Sequence, residues 1–343
     1  MSNQPPIEVP QGAIRLNTDS QRLEFFAQDR WYEFATDSPT LNGGTRGLFT
    51  GMGAIPSMNP YGVEYITIPT QGNSTDFGDM VDARANVGAF ASNVRGVFGG
   101  GYSPTPDNDI DFVTIPTTGN AVNFGDMNYN SFDNTGLSNQ TRGLFCGGSP
   151  SSSENDGVNN ADFVTIATTG DSLDFGDLFE NTMTASTGSN SVRGVIANGK
   201  SGPSHSENIH AVNIPTTGTA FDFGDMIINR QGAGGCSNAI RMVFGGGSTP
   251  TKQTSIETLL IATFGNSIQF GDLETAKGGS LGACCDKTRA VFAGGVFHPE
   301  THTNNIEYIA IATGGDTVDF GDLSSSNSRT AGASGFSNGH GGL

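Results

Sequence analysis

Six copies of Phe-Gly-Asp punctuate the chain, beginning at Phe77, Phe124, Phe175, Phe223, Phe270 and Phe320. Their aspartates are the recurrent candidates for cation chemistry. Calcium takes about 6–8 oxygen ligands, and each of these aspartates is isolated in sequence. Ca2+ is the one ion this pattern allows, and no other metal or cofactor is expected. In four copies an Asp precedes the Phe (Asp76, Asp174, Asp222 and Asp319), which spells the DFG of protein kinases. A kinase carries DFG once, beside a Gly-rich loop, a Lys and an HRD segment. Here it recurs and those partners are missing, so the expected role is structural: the Phe fills space between repeats and Gly-Asp ends a strand. A second mark is Arg opening a short apolar run, at Arg46, Arg95, Arg142, Arg193, Arg241 and Arg289. Six such cations could bind an anion, but repetition favours a bond to a turn carbonyl or a nearby Asp. The FGGG segments lack the Gly-Lys-Ser/Thr and following helix of a phosphate loop. His298 and His302 flank Glu300 in one loop, and Pro299 opposes the helix that would align them; His205 and His210 lie in and just after the matching loop of the fourth repeat. These read as solvated loops. No Ser-His-Asp set or paired carboxylates stand out, and the chain is expected not to be an enzyme.

The elements that position these residues follow from the spacing. The six FGD marks are 47, 51, 48, 47 and 50 residues apart, and the Arg marks keep the same period. Periods of this length mean repeat architectures. The unit from Ala83 to Met127 parses into four strands: Ala85 to Ser92, Arg95 to Gly99, Ile110 to Ile115, and Ala121 to Phe124. Apolar and polar residues alternate in IDFVTI, the period of a half-buried strand. Pro116 to Gly119 supplies a turn, with Pro fixing φ and Gly accepting positive φ. Four short antiparallel strands in about 48 residues describe a propeller blade, and propellers hold about 4–8 of them.

Composition agrees. Gly is 50 of 343 residues, roughly double the usual ~7 %. Charged residues are 15 % and helix formers are scarce, which excludes helical bundles and coiled coils. The formal charge is −18; nucleic acid and anionic membranes both need a basic face that this chain lacks. No stretch approaches 18 apolar residues, so no membrane insertion is expected. The start lacks the basic and apolar regions of a signal peptide. Cys146, Cys236, Cys284 and Cys285 have no disulfide-framework spacing and read as reduced thiols of a protein made in the cytosol.

Both ends of the chain bear on the architecture. The first repeat begins at Thr45 with its second strand. Arg329 to Asn338 matches the strand-one segments and no second strand follows. The C-terminal strand is therefore expected to complete the first blade, giving six blades in residues 44–343. Residues 1–43 fall outside the repeat and read as a β-hairpin, Ala13 to Asn17 and Arg22 to Phe26, with Trp31 to Phe34 as a further strand candidate. A sheet of this size is marginal alone.

The repeat resembles the kelch type, in which a double Gly ends the second strand, over residues 45–338. It departs from kelch where Tyr and Trp are usual: Phe112, Phe163 or Tyr308 and then the Phe of FGD stand there. Some kelch-like propellers are copper oxidases, but their Tyr/Cys/His ligand set has no match here. Residues 12–34, GAIRLNTDSQRLEFFAQDRWYEF, resemble a hairpin module of bacteriophage tail-fibre and other virion proteins through Gly12, Ile14, Arg15, Asn17, Thr18, Asp19, Leu23, Glu24 and Trp31. Repeats reading RGVFGGG and DFGDL are similar to those of structural proteins of marine cyanophages. The resemblance implies an all-β, six-bladed kelch-like β-propeller behind an N-terminal hairpin, in a virion protein made in the host cytoplasm. It implies that Ile14, Leu23, Phe25, Trp31 and Tyr32 attach to other virion proteins, with homo-oligomers in the particle.

Strand direction separates two faces. The one–two and three–four turns are short and alike. The two–three loops are long and differ in every repeat, and the four–one connections lie beside them. Binding concentrates on such variable loops. Tyr61, Tyr102, Tyr129, Phe179 and Phe297 are expected there as exposed aromatics for stacking on sugar rings. Asp107, Asp109, Glu154 and Asp156 are expected as carboxylates for sugar hydroxyls, with His205, His298 and His302 alongside. The expected activity is recognition of a host-surface glycan or protein by a tail-fibre or appendage component. Two alternatives stand beside it: a connector or capsid-decoration protein whose propeller packs on other subunits, and a glycan hydrolase, for which the sequence places no carboxylate pair.

Overall fold

A computed structural model describes residues 9–17, 22–33, 45–50, 62–153, 155–197, 199–279, 281–297, 301–324 and 334–343. The chain divides into two compact units, Met1–Leu41 and Asn42–Leu343. The described residues of both are strand, turn and loop, with no helix among them.

The first unit is a three-stranded antiparallel sheet, Ile14–Asn17, Arg22–Ala27 and Arg30–Glu33, in sequence order. Gln28 and Asp29 turn the second strand into the third at φ 48° and 58°, the left-handed pair of a tight two-residue hairpin. Alternation then sorts the side chains. Ile14, Leu16, Leu23, Phe25 and Tyr32 share one face, and Phe25 stacks on Tyr32 at 5.5 Å. Arg15, Asn17, Glu24, Phe26 and Trp31 share the other. There Arg15 lies 4.0 Å over Trp31 and reaches Glu24 at 2.8 Å. Hydrogen bonds from Asn17 and Arg15 hold the Glu24 carboxyl below its ordinary value.

Among its described residues the second unit holds six antiparallel sheets built on one plan, a propeller-like all-β arrangement. The second repeat runs Gly88–Ala91, Arg95–Gly99, Asp107–Thr114 and Val122–Ser131. The third runs Thr135–Ser138, Arg142–Cys146, Val158–Thr165 and Leu173–Thr182; the fourth Ser186–Ser189, Arg193–Ala197, Asn208–Asn213 and Phe221–Asp225. The fifth is Gly234–Ser237, Arg241–Gly245, Thr251–Leu260 and Ile268–Lys277, with the short Ser248–Thr249 added; the sixth is Gly282–Cys285, Arg289–Ala293, Asn305–Ala310 and Val318–Asp322. The remaining sheet joins Ser334–Ser337 to Arg46–Thr50, Gly62–Thr67 and Thr75–Asp79, with Phe336 opposite Leu48.

Two expectations need correction. Strand four was expected to end at Gly-Asp. It does so in the first, fourth and sixth repeats but runs on to Ser131, Thr182 and Lys277 in the others. The register shifts at the glycine, between Asn123 and Gly125 in the second repeat. The glycine is thus a bulge that bends the strand without ending it. Strand one is only Gly88–Ala91, because Ala85 leaves the sheet to bridge Tyr102.

The repeat marks prove to be joints between sheets. Gly78 and Gly125 adopt φ 145° and 153°, and a Cβ on either would stand 2.5 Å from the carbonyl of Gly119 or Gly170 in the next repeat. The Gly119 amide donates to Phe77 O at 2.8 Å, and the Ala121 amide to Asp79 O at 2.7 Å. The pair recurs in every repeat, including Gly72 to Phe320 O and Ser74 to Asp322 O, which join the sixth repeat to the first. The FGD phenylalanines are buried between sheets, except Phe270, which is half-buried.

The arginines span the same joints. Arg46, Arg95, Arg142, Arg193 and Arg289 donate to the carbonyls of Ile115, Ile166, Ile214, Ile261 and Ile68, each in the following repeat, at 2.8–3.0 Å. Each also lies over an aromatic ring, as Arg142 does over Phe163 at 4.3 Å. Of the expected partners, the turn carbonyl is the one they use.

Six apolar clusters fill the spaces between successive sheets, one of them between the sixth and the first. Size is matched across these spaces. The third residue of an inner strand meets the second residue of the next repeat's Arg strand. Phe336 packs on Gly96, Phe90 on Gly143, Leu137 on Gly194 and Cys284 on Gly47. Where the inner strand offers only Gly188, the partner is Met242.

Candidate functional site

The antiparallel order places the two–three segments and the four–one connections on one face. Their roots are fixed. Ala85 bridges Tyr102, Phe132 bridges Ser149, Met183 bridges Lys200, Gln231 bridges Ser248 and Gly278 bridges Val296. Beyond each bridge the segments diverge: Lys200–Ser201 and Ser204–His205 form a small hairpin in the fourth repeat, and Val296–Phe297 pairs Thr301–His302 in the sixth.

The inner strands surround a cavity with about 870 Å³ of unfilled space, part of it open to solvent. Its mouth on the variable face is rimmed by residues that the sequence did not single out. Asn86, Asp133 and Thr184 stand at φ 59°, 57° and 51°, a conformation that non-glycine residues rarely hold. Each carbonyl accepts the next amide: Asn86 O from Asp133, Asp133 O from Thr184, and Thr184 O from Gly232, at 2.9–3.1 Å. The Asn86 Nδ2 also donates to Asp133 Oδ1 at 2.6 Å. The sequence signal was a short polar residue two positions before the inner strand in these three repeats; the fifth carries Gly232 there. Strained backbone of this kind gathers at functional sites.

The expected contact residues fall in three groups. Phe179 is 56 % exposed, edge-on to His210 at 5.7 Å, and Asp156 is exposed with Ser151 Oγ donating to it. Tyr102, Tyr129, Phe297, Asp107, Asp109, His205 and His302 are half-buried. Tyr102 packs edge-on to Phe132, the Tyr129 hydroxyl donates to Gly147 O at 3.0 Å, and Asp107 Oδ1 accepts from the Asn108 amide at 2.7 Å. Burial, then the neighbouring Asp107, pushes the Asp109 carboxyl up. Among the described aromatics of this set, Phe179 alone is exposed; the other rings are half-buried and brace the loops. Tyr61, Glu154 and His298 lie outside the described residues.

Beneath the loops are buried charges. Arg84 Nη2 meets Asp111 Oδ2 at 2.5 Å, while its Nη1 donates to Gly100 O and Asp109 O. Arg230 pairs with Glu257 and donates to Gly246 O and Ser255 O; Lys277 pairs with Glu307. Burial pushes the Asp111 carboxyl up, against the pull of Arg84, and lowers the Arg230 and Lys277 cations. The fourth repeat departs from this pattern. His210 takes the carboxylate's place, fully buried, with Glu180 at 3.6 Å. No group of three or more His, Cys, Asp or Glu suited to a metal occurs among the described residues.

The opposite end of the cavity is covered. After Ser337 the chain continues across it. His340 Nε2 lies 2.7 Å from Ala91 O, and the Gly341 amide donates to Ser237 O at 2.7 Å. Burial lowers the His340 imidazole to about 4. The walls above the tail are self-satisfied: Ser138, Ser189, Ser237, Cys285 and Ser337 each donate to the inner strand of the preceding repeat.

Comparison with protein-family models and with curated proteins returned no match.

Proposed function

We propose that residues 44–343 form a six-bladed propeller closed by the C-terminal strand, and that the protein is a non-enzymatic binding component of a phage virion. The contact order of the inner strands supports the ring: each touches the next in repeat order, and Ser334–Ser337 touches both Gly282–Cys285 and Gly88–Ala91. The observation that carries the function is the asymmetry of the two faces. One has uniform turns and a cavity end covered by the tail. The other combines fixed loop roots, variable tips and a strained polar rim. The ligand class this face suits is a host-surface glycan or protein, with Phe179 as the exposed ring and Asp156 as the exposed carboxylate. The N-terminal resemblance supports a virion role, with the Ile14–Glu33 sheet as the attachment element.

A second reading has its own support. Exposed apolar side chains recur along the turn face: Val94, Val192 and Ile240 in the one–two turns, Val122, Leu173 and Ile268 at the start of strand four. Such a rim suits docking to neighbouring subunits, as in a connector or decoration protein. Binding of purified chain to bacterial cells and to an array of bacterial surface glycans separates the two. Phe179→Ser with Asp156→Ala is expected to weaken binding at least about tenfold, or about 1.4 kcal/mol, while Val94→Ser with Ile240→Ser leaves it unchanged. The reverse pattern would assign recognition to the turn face.

A further inference from the structure

All four cysteines are free and buried. Two of them face each other. Inner strands of successive repeats run in the same direction, as the hydrogen bonds from Ser189 to Ser138 O and from Ser237 to Ser189 O require. A Cβ on Gly234 would stand 3.1 Å from the Cβ of Ala283. Two residues further along both strands, on the same sides of the same sheets, are Cys236 and Cys285. Cys236 and Cys285 belong to one buried cluster between the fifth and sixth sheets, and a disulfide between them needs a Cβ separation of about 3.5–4.5 Å. The two thiols are within hydrogen-bonding reach of each other. Cys284 points the other way, onto Gly47.

The identity of residue 285 is itself informative. At this position the third, fourth, fifth and first repeats carry Ser138, Ser189, Ser237 and Ser337, each donating to the strand before. Cys285 makes the same bond, to Ser237 O at 2.9 Å. A serine would perform that structural task, yet sulfur stands here and faces another sulfur. Cys236 lines the cavity and is 7 % exposed, whereas Cys285 is fully buried, so a reagent meets the pair through Cys236.

We propose that Cys236 and Cys285 are a redox clasp, forming a disulfide that fastens the fifth sheet to the sixth when the chain meets a small-molecule disulfide. In the reaction with oxidised glutathione both protein S–H bonds break and one S–S bond forms. The electron pair cleaves the glutathione disulfide, and the two protons end on the two glutathione thiols released. The thiol of Cys236 is pushed up by its hydrogen bond with Cys285 and by burial. Because the thiolate is the attacking species, the clasp closes faster as pH rises.

The test treats the full chain with oxidised glutathione at neutral and alkaline pH, alkylates it, and maps peptides without reduction. The expected result is one intramolecular Cys236–Cys285 link, two of four thiols lost, a higher unfolding temperature that a reductant reverses, and faster closure at the higher pH. Cys285→Ser, which copies the other repeats, is expected to fold and to abolish the link; Cys284→Ser is expected to keep it. Four free thiols after prolonged exposure at the higher pH, or a link through Cys284 or between chains, would overturn the proposal.

Discussion

At the scale of single residues, glycine does two separable jobs here, and substitution can tell them apart. Gly78 needs both a positive φ and the absence of a Cβ, because the backbone of Gly119 lies against it. Gly119 also has φ +153° but open space around its would-be Cβ. Gly119→Ala is therefore expected to cost only backbone strain, about 1–3 kcal/mol. Gly78→Ala adds a collision and the loss of two inter-sheet hydrogen bonds, each worth about 1 kcal/mol, so it is expected to cost about 2 kcal/mol more. Chemical denaturation of the two variants measures the difference; equal costs would mean the joint yields without penalty. His340 is a second test at this scale. Its folded value, about 4, is below the ordinary 6.5. The neutral ring is favoured in the docked tail, so docking is fully stable above 6.5 and weakens as pH falls from 6.5 towards 4. The protection factor of the Gly341 amide, which donates to Ser237 O, is expected to fall across that window, once its rate is corrected for the intrinsic pH dependence of exchange. His340→Gln is expected to flatten the profile.

At the scale of elements, the inner strand of one repeat and the Arg strand of the next are matched in volume. Gly143→Met beside an intact Phe90 overpacks the joint and is expected to cost about 1–3 kcal/mol. Adding Phe90→Gly copies the native Gly188 and Met242 arrangement and is expected to restore part of the loss, as a double-mutant cycle would reveal. The buried pairs obey a different rule. Arg230→Ala leaves Glu257 charged and buried, at a cost of about 3–5 kcal/mol, whereas Arg230→Met with Glu257→Leu is expected to cost far less. Denaturation midpoints of the two variants check this, and equal losses would show that the pair is net stabilising. Much at this scale was legible in the sequence. The Arg95 to Gly99 strand stands where its apolar run placed it, and the pairing of the C-terminal strand with Arg46–Thr50 followed from a repeat lacking strand one. The extent of strand four was not legible, because a Gly-Asp bulge and a Gly-Asp terminus read alike. Nor were the size-matched joints, since Phe90 and Gly143 are far apart in the chain and neither carries a local periodicity that names its partner.

At the scale of the whole molecule, the repeat turns small differences between loops into one composite surface. The sequence located that surface through strand direction, but not its centre. The rim of Asn86, Asp133 and Thr184 depends on backbone angles that residue type only permits. Nor did it show that most of the chosen rings brace loops: Tyr129 and Tyr102 spend their polar and aromatic groups on Gly147 and Phe132. The proposed recognition requires the loop face to be free, with attachment to neighbouring subunits through the Ile14–Glu33 sheet. The most direct test is a cryo-electron microscopy map of the intact virion with this chain located in it. The expected result is a closed six-bladed ring, the Ile14–Glu33 sheet held by neighbouring subunits, and the rim around Asn86, Asp133 and Thr184 facing solvent. A map with that rim buried against other virion proteins would contradict it and make the protein architectural.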